Sequence, residues 1–193
     1  MKLSVEEIEQ RVEEYLDIVR MAEYSKGNKK TDACHWFSGV LEELRKLKKR
    51  KGRLFFIGNG ASSSIASHFA ADFTKRAGIP AFSNNDGALL TCFSNDISFE
   101  SAYSEILKLI MNEGDGLIAI SSSGKSLNII NAAKMVKKNF KRCPVITFSG
   151  FKKDNPLRHT GDYNLYLSTN DYGCAESGHA YYVHLILDLF STN

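Results

Sequence analysis

The stretch Leu54-Phe55-Phe56-Ile57-Gly58-Asn59-Gly60-Ala61-Ser62-Ser63-Ser64 decides the fold of this chain. It opens with an apolar run that has the length of a buried strand and ends abruptly at Gly58. Serines follow, and from Ile65 to Arg76 the apolar residues return with helical spacing. The stretch therefore predicts a strand, a polar loop and a helix.

The same order returns later in the chain. Residues 116–120 are a candidate buried strand, Ser121–Ser126 form a second polar loop, and residues 127–140 have helical spacing. Further strands are predicted at 144–148 and 163–167, and a last helix at about 174–190. Because strands that alternate with helices build right-handed crossover units, we expect an α/β fold with a mostly parallel sheet covered on both faces.

The first fifty residues differ from the rest, because their apolar residues recur every three or four places. This spacing predicts one helix over 4–23, begun by a capping box of Ser4 and Glu7, and a second over 31–49. No strand is predicted before Leu54. We interpret residues 1–50 as a helical extension that packs on the domain or on another subunit. Residues 51–193 form the α/β core of a single domain.

Composition excludes several classes of protein. The chain has 193 residues and a formal net charge of +3, which is too small for a protein that coats nucleic acid. Its apolar stretches are shorter than a membrane span, and its N-terminus lacks the apolar region of a secretory signal. We therefore expect a cytoplasmic protein that contacts no membrane. The cysteines have no zinc-binding spacing and are expected to be reduced thiols.

The two serine loops predict a phosphate site. Both follow the carboxyl end of a strand and precede a helix, where backbone N–H groups and the helix dipole favour an anion. A Walker A loop is excluded because Ala119 stands where its first glycine belongs, and a dinucleotide fingerprint because Ser63 replaces its third glycine. The alternative for either loop alone is that the serines only cap helices.

Five segments then resemble one family. GNGASSSIASHFAADFTKR, NND, SNDISF, GDGLIAISSSGKSLNII and ESGHAYYVHLILDL occur in the order and spacing of the phosphoheptose isomerase branch of the sugar isomerase (SIS) family. The likeness covers nearly the whole chain. It implies a flavodoxin-like three-layer sandwich preceded by two N-terminal helices, and a homotetramer with active sites between subunits. It also implies a sugar phosphate as the ligand.

The resemblance assigns roles to individual residues. Asn59 and Asp96 resemble contacts to sugar hydroxyls, and Glu176 stands at a position of the substrate site where the family has Gln. The residues that resemble the family's phosphate ligands are Ser62, Ser121, Ser122, Ser123 and Ser126. The family's catalytic Glu and His fall on Asp72 and His184.

An aldose-ketose isomerase needs a base near C1 and C2 and a second group that serves the oxygens. His68 and Asp72 are one helical turn apart, so both project from one face of the helix after the first loop. The chain departs from the family by Asp72 for Glu, Ala71 for an acidic residue, and Gly173 for Asp. Asp72 has a side chain shorter than Glu by about 1.5 Å, and a misplacement near 1 Å can lower a rate about a hundredfold.

In several family members the corresponding residues also bind zinc. By that resemblance the metal ligands here are His68, Asp72, Glu176 and His184, a donor set that suits zinc or another divalent ion. Glu176 and His184 would lie about 12 Å apart along one straight helix. Either the last helix begins after Glu176, or the ligands come from different subunits.

The function indicated by the sequence is therefore interconversion of sedoheptulose 7-phosphate and D-glycero-D-manno-heptose 7-phosphate, with Asp72 as base and His184 as its acid-base partner. Two alternatives stay open. One is a non-catalytic SIS protein that binds a sugar phosphate or docks on a partner. The other is an isomerase of a different phosphosugar, in which Gly173 and Glu176 reshape the pocket. The roles of His179 and Arg76 are also undecided.

Overall fold

A computed structural model describes residues 3–192, which form one seven-stranded sheet with helices on both faces. The strands are β1 (Glu23–Lys26), β2 (Lys29–Thr31), β3 (Leu54–Ile57), β4 (Ala81–Ser83), β5 (Gly116–Ser121), β6 (Val145–Ser149) and β7 (Tyr163–Tyr166). The helices are α1 (Val5–Arg20), α2 (Ala33–Lys49), α3 (Ala61–Asp72), α4 (Gly87–Asp96), α5 (Phe99–Ile110), α6 (Leu127–Asn139) and α7 (Tyr172–Ser191). A π-helical turn (Phe73–Ala77) continues α3, and a 3₁₀ turn (Leu157–His159) precedes β7.

The strands follow one another across the sheet in the order β2-β1-β7-β6-β5-β3-β4. All pairings from β4 through β3, β5 and β6 to β7 are parallel. The predicted α/β fold with a mostly parallel sheet is therefore confirmed. Because β3 and β5 are neighbours, the two serine loops that follow them leave the same edge of the sheet side by side.

Alternate residues of the strands supply two apolar cores. Phe56, Ile118 and Phe148 point into the core shared with α2, α3 and α7. Phe55 and Leu117 point into the other core, with α5 and α6. Strands β3, β5 and β6 are buried on both faces, which explains why they are short continuous apolar runs rather than alternating ones.

The prediction that no strand precedes Leu54 was wrong. A β-hairpin lies between α1 and α2, and its first strand, β1, pairs antiparallel with β7. The hairpin turns at Gly27-Asn28, where Gly27 has a φ of +54°, a conformation that suits a two-residue hairpin turn. The hairpin thus adds two strands to the sheet between the two predicted helices.

Helix α1 has the predicted capping box, in which Ser4 and Glu7 each accept a hydrogen bond from the other's backbone N–H. Its side chains Ile8, Val12 and Leu16 are exposed, whereas Val19 packs against the core under α7. None of the helices between residues 3 and 192 combines the length and apolar character needed to cross a membrane.

Candidate active site

The two serine loops enclose one cavity of about 270 Å³ at the carboxyl edge of the sheet. Most of the predicted substrate residues line it together. These are Asn59, Ser62, Ser121, Ser122, Ser123, Ser126 and Glu176. Gly60, Ala61 and Tyr172 complete the lining and were not predicted. Tyr172 could have been suspected only from its position four residues before Glu176, one helical turn away.

The first loop turns sharply at Gly60, which has a φ of +55°. Helix α3 then begins at Ala61, so its free N–H groups face the cavity. Asn59 is held by a reciprocal pair of side-chain hydrogen bonds with Asn128 on α6, both 2.9 Å long. This pair ties the first loop to the helix that follows the second.

The second loop turns at Gly124, which has a φ of +64°, and α6 begins at Leu127. The Ser121 hydroxyl donates to the Ser126 hydroxyl at 3.2 Å, so the two ends of the loop lie close together. Two helix N-termini therefore meet at the cavity, which favours an anion bound there.

The positive potential that favours an anion in the cavity comes from the N-termini of α3 and α6 rather than from cationic side chains. Among the described residues that line it there is no lysine or arginine, and Glu176 is the only carboxylate. A phosphate would be held by serine hydroxyls and backbone N–H groups, a neutral donor set that can form a nest for a dianion. Glu176 stands at the wall of the cavity, where the sugar part of a ligand would face a hydrogen-bond acceptor.

A second group of side chains is formed by His68, Asp72 and His184. One ligand atom of each lies within 4.8 Å of the other two. His68 Nε2 is 3.5 Å from Asp72 Oδ2, and the His68 and His184 ring centroids are 5.5 Å apart. His184 also packs edge-on against Phe69, at 4.6 Å between ring centroids. The two predicted catalytic residues, Asp72 and His184, are thus brought together.

Helices α3 and α7 carry this acid-base cluster and also contribute residues to the serine cavity, at different heights. Along α3 the rise from Ser62 to Asp72 is about 15 Å, and along α7 the rise from Glu176 to His184 is about 12 Å. Helix α7 begins at Tyr172 and is continuous, so the alternative in which it begins after Glu176 is wrong. Within this chain Glu176 lies with the serines and outside the acid-base cluster.

The acid-base cluster fits a divalent metal ion. Two imidazoles and a carboxylate offer nitrogen and oxygen ligands, and three protein ligands with an open position are typical of a catalytic site. The 3.5 Å between His68 Nε2 and Asp72 Oδ2 is close to the spacing of about 3.4 Å expected for two ligands around a tetrahedral zinc ion. His68 and His184 are exposed, so an ion could reach them.

Asp96 lies away from both sites. It is the last residue of α4, it is exposed, and its carboxylate accepts hydrogen bonds from Asn95 and Cys92. The fold thus does not bring Asp96 to the serine cavity within this chain, although the sequence grouped the two.

The structure shows the surroundings of Arg76 and His179, the two residues whose roles the sequence left undecided. Arg76 forms an ion pair with Asp188 at 2.6 Å, and both side chains are exposed. His179 is fully buried, its ring lies 6.0 Å from that of Phe148, and neither ring nitrogen has a hydrogen-bond partner among residues 3–192. Burial lowers the pKa of His179 to about 4, so its imidazole is neutral.

Gly173, one of the departures from the family pattern, lies against helix α1. A β-carbon at this position would stand 2.8 Å from the Tyr15 hydroxyl and 3.2 Å from Asp171 Oδ1. Arg11 on the same face of α1 pairs with Asp171 at 2.9 Å. The backbone N–H of Cys174 and the Arg11 guanidinium lower the pKa of Asp171. The small residue therefore allows α1 to approach the start of α7.

The chain matches known proteins of one kind. Residues 42–150 match the SIS domain family. Phosphoheptose isomerase 1 of Campylobacter jejuni is 30% identical over 190 residues, which cover 94% of this chain and 95% of that protein. The phosphoheptose isomerase of Thermodesulfovibrio yellowstonii is 32% identical over 156 residues, covering 78% of this chain and 76% of the relative.

Solved structures agree on the fold. The phosphoheptose isomerase of Francisella tularensis superposes with a TM-score of 0.81 at 21% identity, over 100% of both chains. That of Neisseria gonorrhoeae gives a TM-score of 0.79 at 23% identity, over 96% of this chain and 98% of the other. At these identities the likeness concerns the arrangement of helices and strands.

Proposed function

Because this chain belongs to the SIS domain family, we propose that it is an aldose-ketose isomerase that converts sedoheptulose 7-phosphate into D-glycero-D-manno-heptose 7-phosphate. Relatives named phosphoheptose isomerase match it over 78% and 94% of its length, which supports this reaction. The observation that carries the proposal is the approach of Asp72 and His184 to within 4.8 Å of each other. A protein that only binds a sugar phosphate has no need of such a pair.

The serine cavity binds the phosphate group. Ser62, Ser121 and Ser122 are almost fully buried, so their hydroxyls are held in place before the ligand arrives. Hydrogen bonds to a charged acceptor are about twice as strong as neutral ones. Holding the phosphate end fixes the position of the sugar's reactive end, and such positioning supplies a large part of the rate enhancement of many enzymes.

The acid-base cluster performs the proton transfer. Isomerisation moves a proton between C1 and C2 through an enediol, so a base must remove it from one carbon and return it to the other. Asp72 is the base. His184 exchanges a proton with the sugar oxygens, because an imidazole can donate and accept near neutral pH. Phe69 holds the His184 ring in place.

Zinc is the metal that we propose for the acid-base cluster. His68, Asp72 and His184 would hold it, and Glu176 would join them only from a neighbouring subunit, because it lies about 12 Å from His184 along α7. When bound, such an ion supplies Lewis-acid polarisation of the sugar oxygens. Glu176 otherwise accepts hydrogen bonds from the sugar at the wall of the serine cavity.

The separation of the two sites favours a homotetramer with active sites between subunits. In that arrangement the serine cavity of one subunit receives residues from another, and Asp96 contacts a sugar hydroxyl across the interface. The exposed apolar side chains of α1, Ile8, Val12 and Leu16, supply a surface for this association. The enzyme acts in the cytoplasm, where its cysteines Cys34, Cys92, Cys143 and Cys174 stay free, as they are here.

The test is turnover by the purified protein supplied with zinc. Sedoheptulose 7-phosphate should be converted to the aldose, and unphosphorylated sedoheptulose, the matched control, should react far more slowly. Pentose and hexose phosphates in the same assay test the alternative of a different phosphosugar. No conversion of any of these sugar phosphates, with zinc supplied, would contradict the proposal and favour a non-catalytic binding protein.

A further inference from the structure

The segment that follows β6, residues 150–158, lies directly behind the second serine loop. The Gly150 N–H donates to the Ser122 carbonyl oxygen at 2.9 Å, and the Leu157 N–H donates to the Gly124 carbonyl oxygen at 3.1 Å. Among the described residues that line the serine cavity, none comes from this segment. The position of the loop therefore depends on a layer of chain that lies behind the cavity wall.

One side chain, that of Asn155, forms hydrogen bonds with several backbone groups of this segment. Asn155 is 1% exposed, and its Nδ2 donates to the carbonyl oxygens of Gly150 at 3.1 Å and Lys152 at 2.9 Å. The same nitrogen donates to the Ser149 hydroxyl at 3.3 Å. Its Oδ1 accepts the Arg158 N–H at 3.0 Å. Because the amide satisfies groups on both sides of itself in sequence, it fixes the path of the whole segment.

The same amide packs against the tip of the serine loop. A β-carbon at Gly124 would overlap the Asn155 amide and stand 2.8 Å from the Asn155 Cβ. Gly124 also has a φ of +64°, which favours glycine. The backbone of the second serine loop at Gly124 therefore lies in close contact with the Asn155 side chain. Gly124 lies directly after Ser123, so a shift of the amide is transmitted to the hydroxyls that face the cavity.

We propose that Asn155 is a positioning residue for phosphate recognition: without touching the ligand, it sets the place of the second serine loop through Gly124 and the two backbone hydrogen bonds of the segment. This inference rests on the proposed function, because it concerns the same phosphate cavity. It explains why a fully buried asparagine, rather than an apolar residue, lies under the loop. A shift of the loop moves the serine hydroxyls away from the phosphate oxygens and weakens the charge-assisted hydrogen bonds that hold the ligand.

The experiment compares Asn155→Ala with Asn164→Ala. Asn164 is a matched control, because it is equally buried at 1% exposure. It too bonds several groups, among them Thr147 and Gly161, but it lies outside the serine cavity. The readouts are the Kd of inorganic phosphate by calorimetry, the KM and kcat for sedoheptulose 7-phosphate, and the melting temperature.

Both variants should melt at lower temperature, but only Asn155→Ala should weaken phosphate binding. We expect its Kd for phosphate and its KM to rise at least about tenfold, with kcat within about threefold of wild type. Asn164→Ala should change the phosphate Kd by less than about twofold. Equal phosphate Kd values in the two variants, measured where both are folded, would overturn the inference.

A second variant covers the case in which Asn155→Ala does not fold. Asn155→Asp keeps the shape and the acceptor for the Arg158 N–H but cannot donate to the carbonyl oxygens, so it should also raise the phosphate Kd. An unchanged Kd in this variant would equally overturn the inference. Phosphate binding can be measured without turnover. If the wild-type protein has no isomerase activity but the Asn155 variants still raise the phosphate Kd, the proposed function is refuted and the role of Asn155 stands.

Discussion

The serine cavity and the acid-base cluster are built in opposite ways. Ser62 and Ser121 are 3% and 4% exposed. Ser62 lies in the first turn of α3 and Ser121 is the last residue of β5, so regular backbone structure fixes their positions. The side chains of His68 and Asp72 are 58% and 24% exposed, and their positions depend on rotamers at the surface of one helix. The cavity is formed before a ligand binds, whereas the acid-base cluster is open. Binding and chemistry should therefore respond separately to substitution.

Removal of the base should give the largest effect. Asp72→Asn keeps the shape of the side chain but removes its capacity to accept a proton from carbon. We expect kcat to fall at least about a hundredfold, the lower end for one general base, while the KM changes little. Steady-state kinetics on sedoheptulose 7-phosphate measure both. Full activity in this variant would exclude Asp72 as the base and direct attention to Glu176.

Asp72→Glu sharpens the same test. The acid-base cluster is open to solvent, so it has room for one more methylene, and the longer carboxylate would approach His184 more closely. We expect this variant to equal or exceed wild-type activity. A strong loss would mean that neighbouring residues have closed around the shorter side chain and that overpacking limits the site.

Loss of one imidazole should remove the metal. Protein purified without chelator should contain zinc or a similar ion, and His68→Ala should lower its content at least about tenfold, because three ligands become two. Elemental analysis gives the stoichiometry. His35→Ala is the control, since His35 is an exposed histidine on α2 that pairs with Asp32. A metal-free wild type with normal activity would remove metal from the mechanism.

Substitution in the cavity should affect binding rather than chemistry. Ser62→Ala or Ser123→Ala removes a donor to a charged acceptor, which costs about 1.5 to 3 kcal/mol, or roughly ten- to hundredfold in Kd. Calorimetry with phosphorylated and unphosphorylated heptose separates the two ligand types. Ser64→Ala, two residues after Ser62 in α3 but exposed and outside the cavity lining, is the matched control. Equal losses for both ligands would contradict the phosphate assignment.

Replacement of His179, the buried histidine of α7, should have the smallest of these effects near neutral pH, and the effect is on stability. The unfolded state of His179 takes up a proton below about pH 6.5, whereas the folded state does so only below about pH 4. Stability should therefore fall as the pH drops through this window, by about 2 kcal/mol at pH 5 from this residue. His179→Leu should flatten that decline in urea titrations between pH 7 and 5, and His159→Leu, at an exposed position, should not. Parallel pH profiles for wild type and His179→Leu would refute the prediction.

The sequence predicted the parts of the fold that depend on contiguous apolar runs. Strands β3, β5 and β6 were found because a strand buried on both faces is a continuous apolar run. Strands β1 and β2 were missed, because Glu23–Lys26 and Lys29–Thr31 are short and mostly polar and form no continuous apolar run. Strand β4 and helices α4 and α5 were also not predicted.

The site was predictable where it depends on topology. The serine loops come together because β3 and β5 are neighbours in a parallel sheet, and the 12 Å rise between Glu176 and His184 follows from helix geometry. The surroundings of Asp96 and Asn155 were not predictable. Asp96 ends a helix, α4, that the sequence did not predict, and Asn155 meets Gly124 across a gap of thirty residues that no apolar spacing indicates.

The hairpin also affects how the protein behaves in concentrated solution. Strand β2 forms one edge of the sheet, and an edge strand with unpaired backbone groups can recruit a strand from another molecule. Here the edge is only three residues long, and Lys29 and Lys30 are exposed on it. Their charges repel the same edge of a second molecule. The short basic strand thus protects the sheet from growing into an aggregate, and Lys30→Val should raise light scattering on storage.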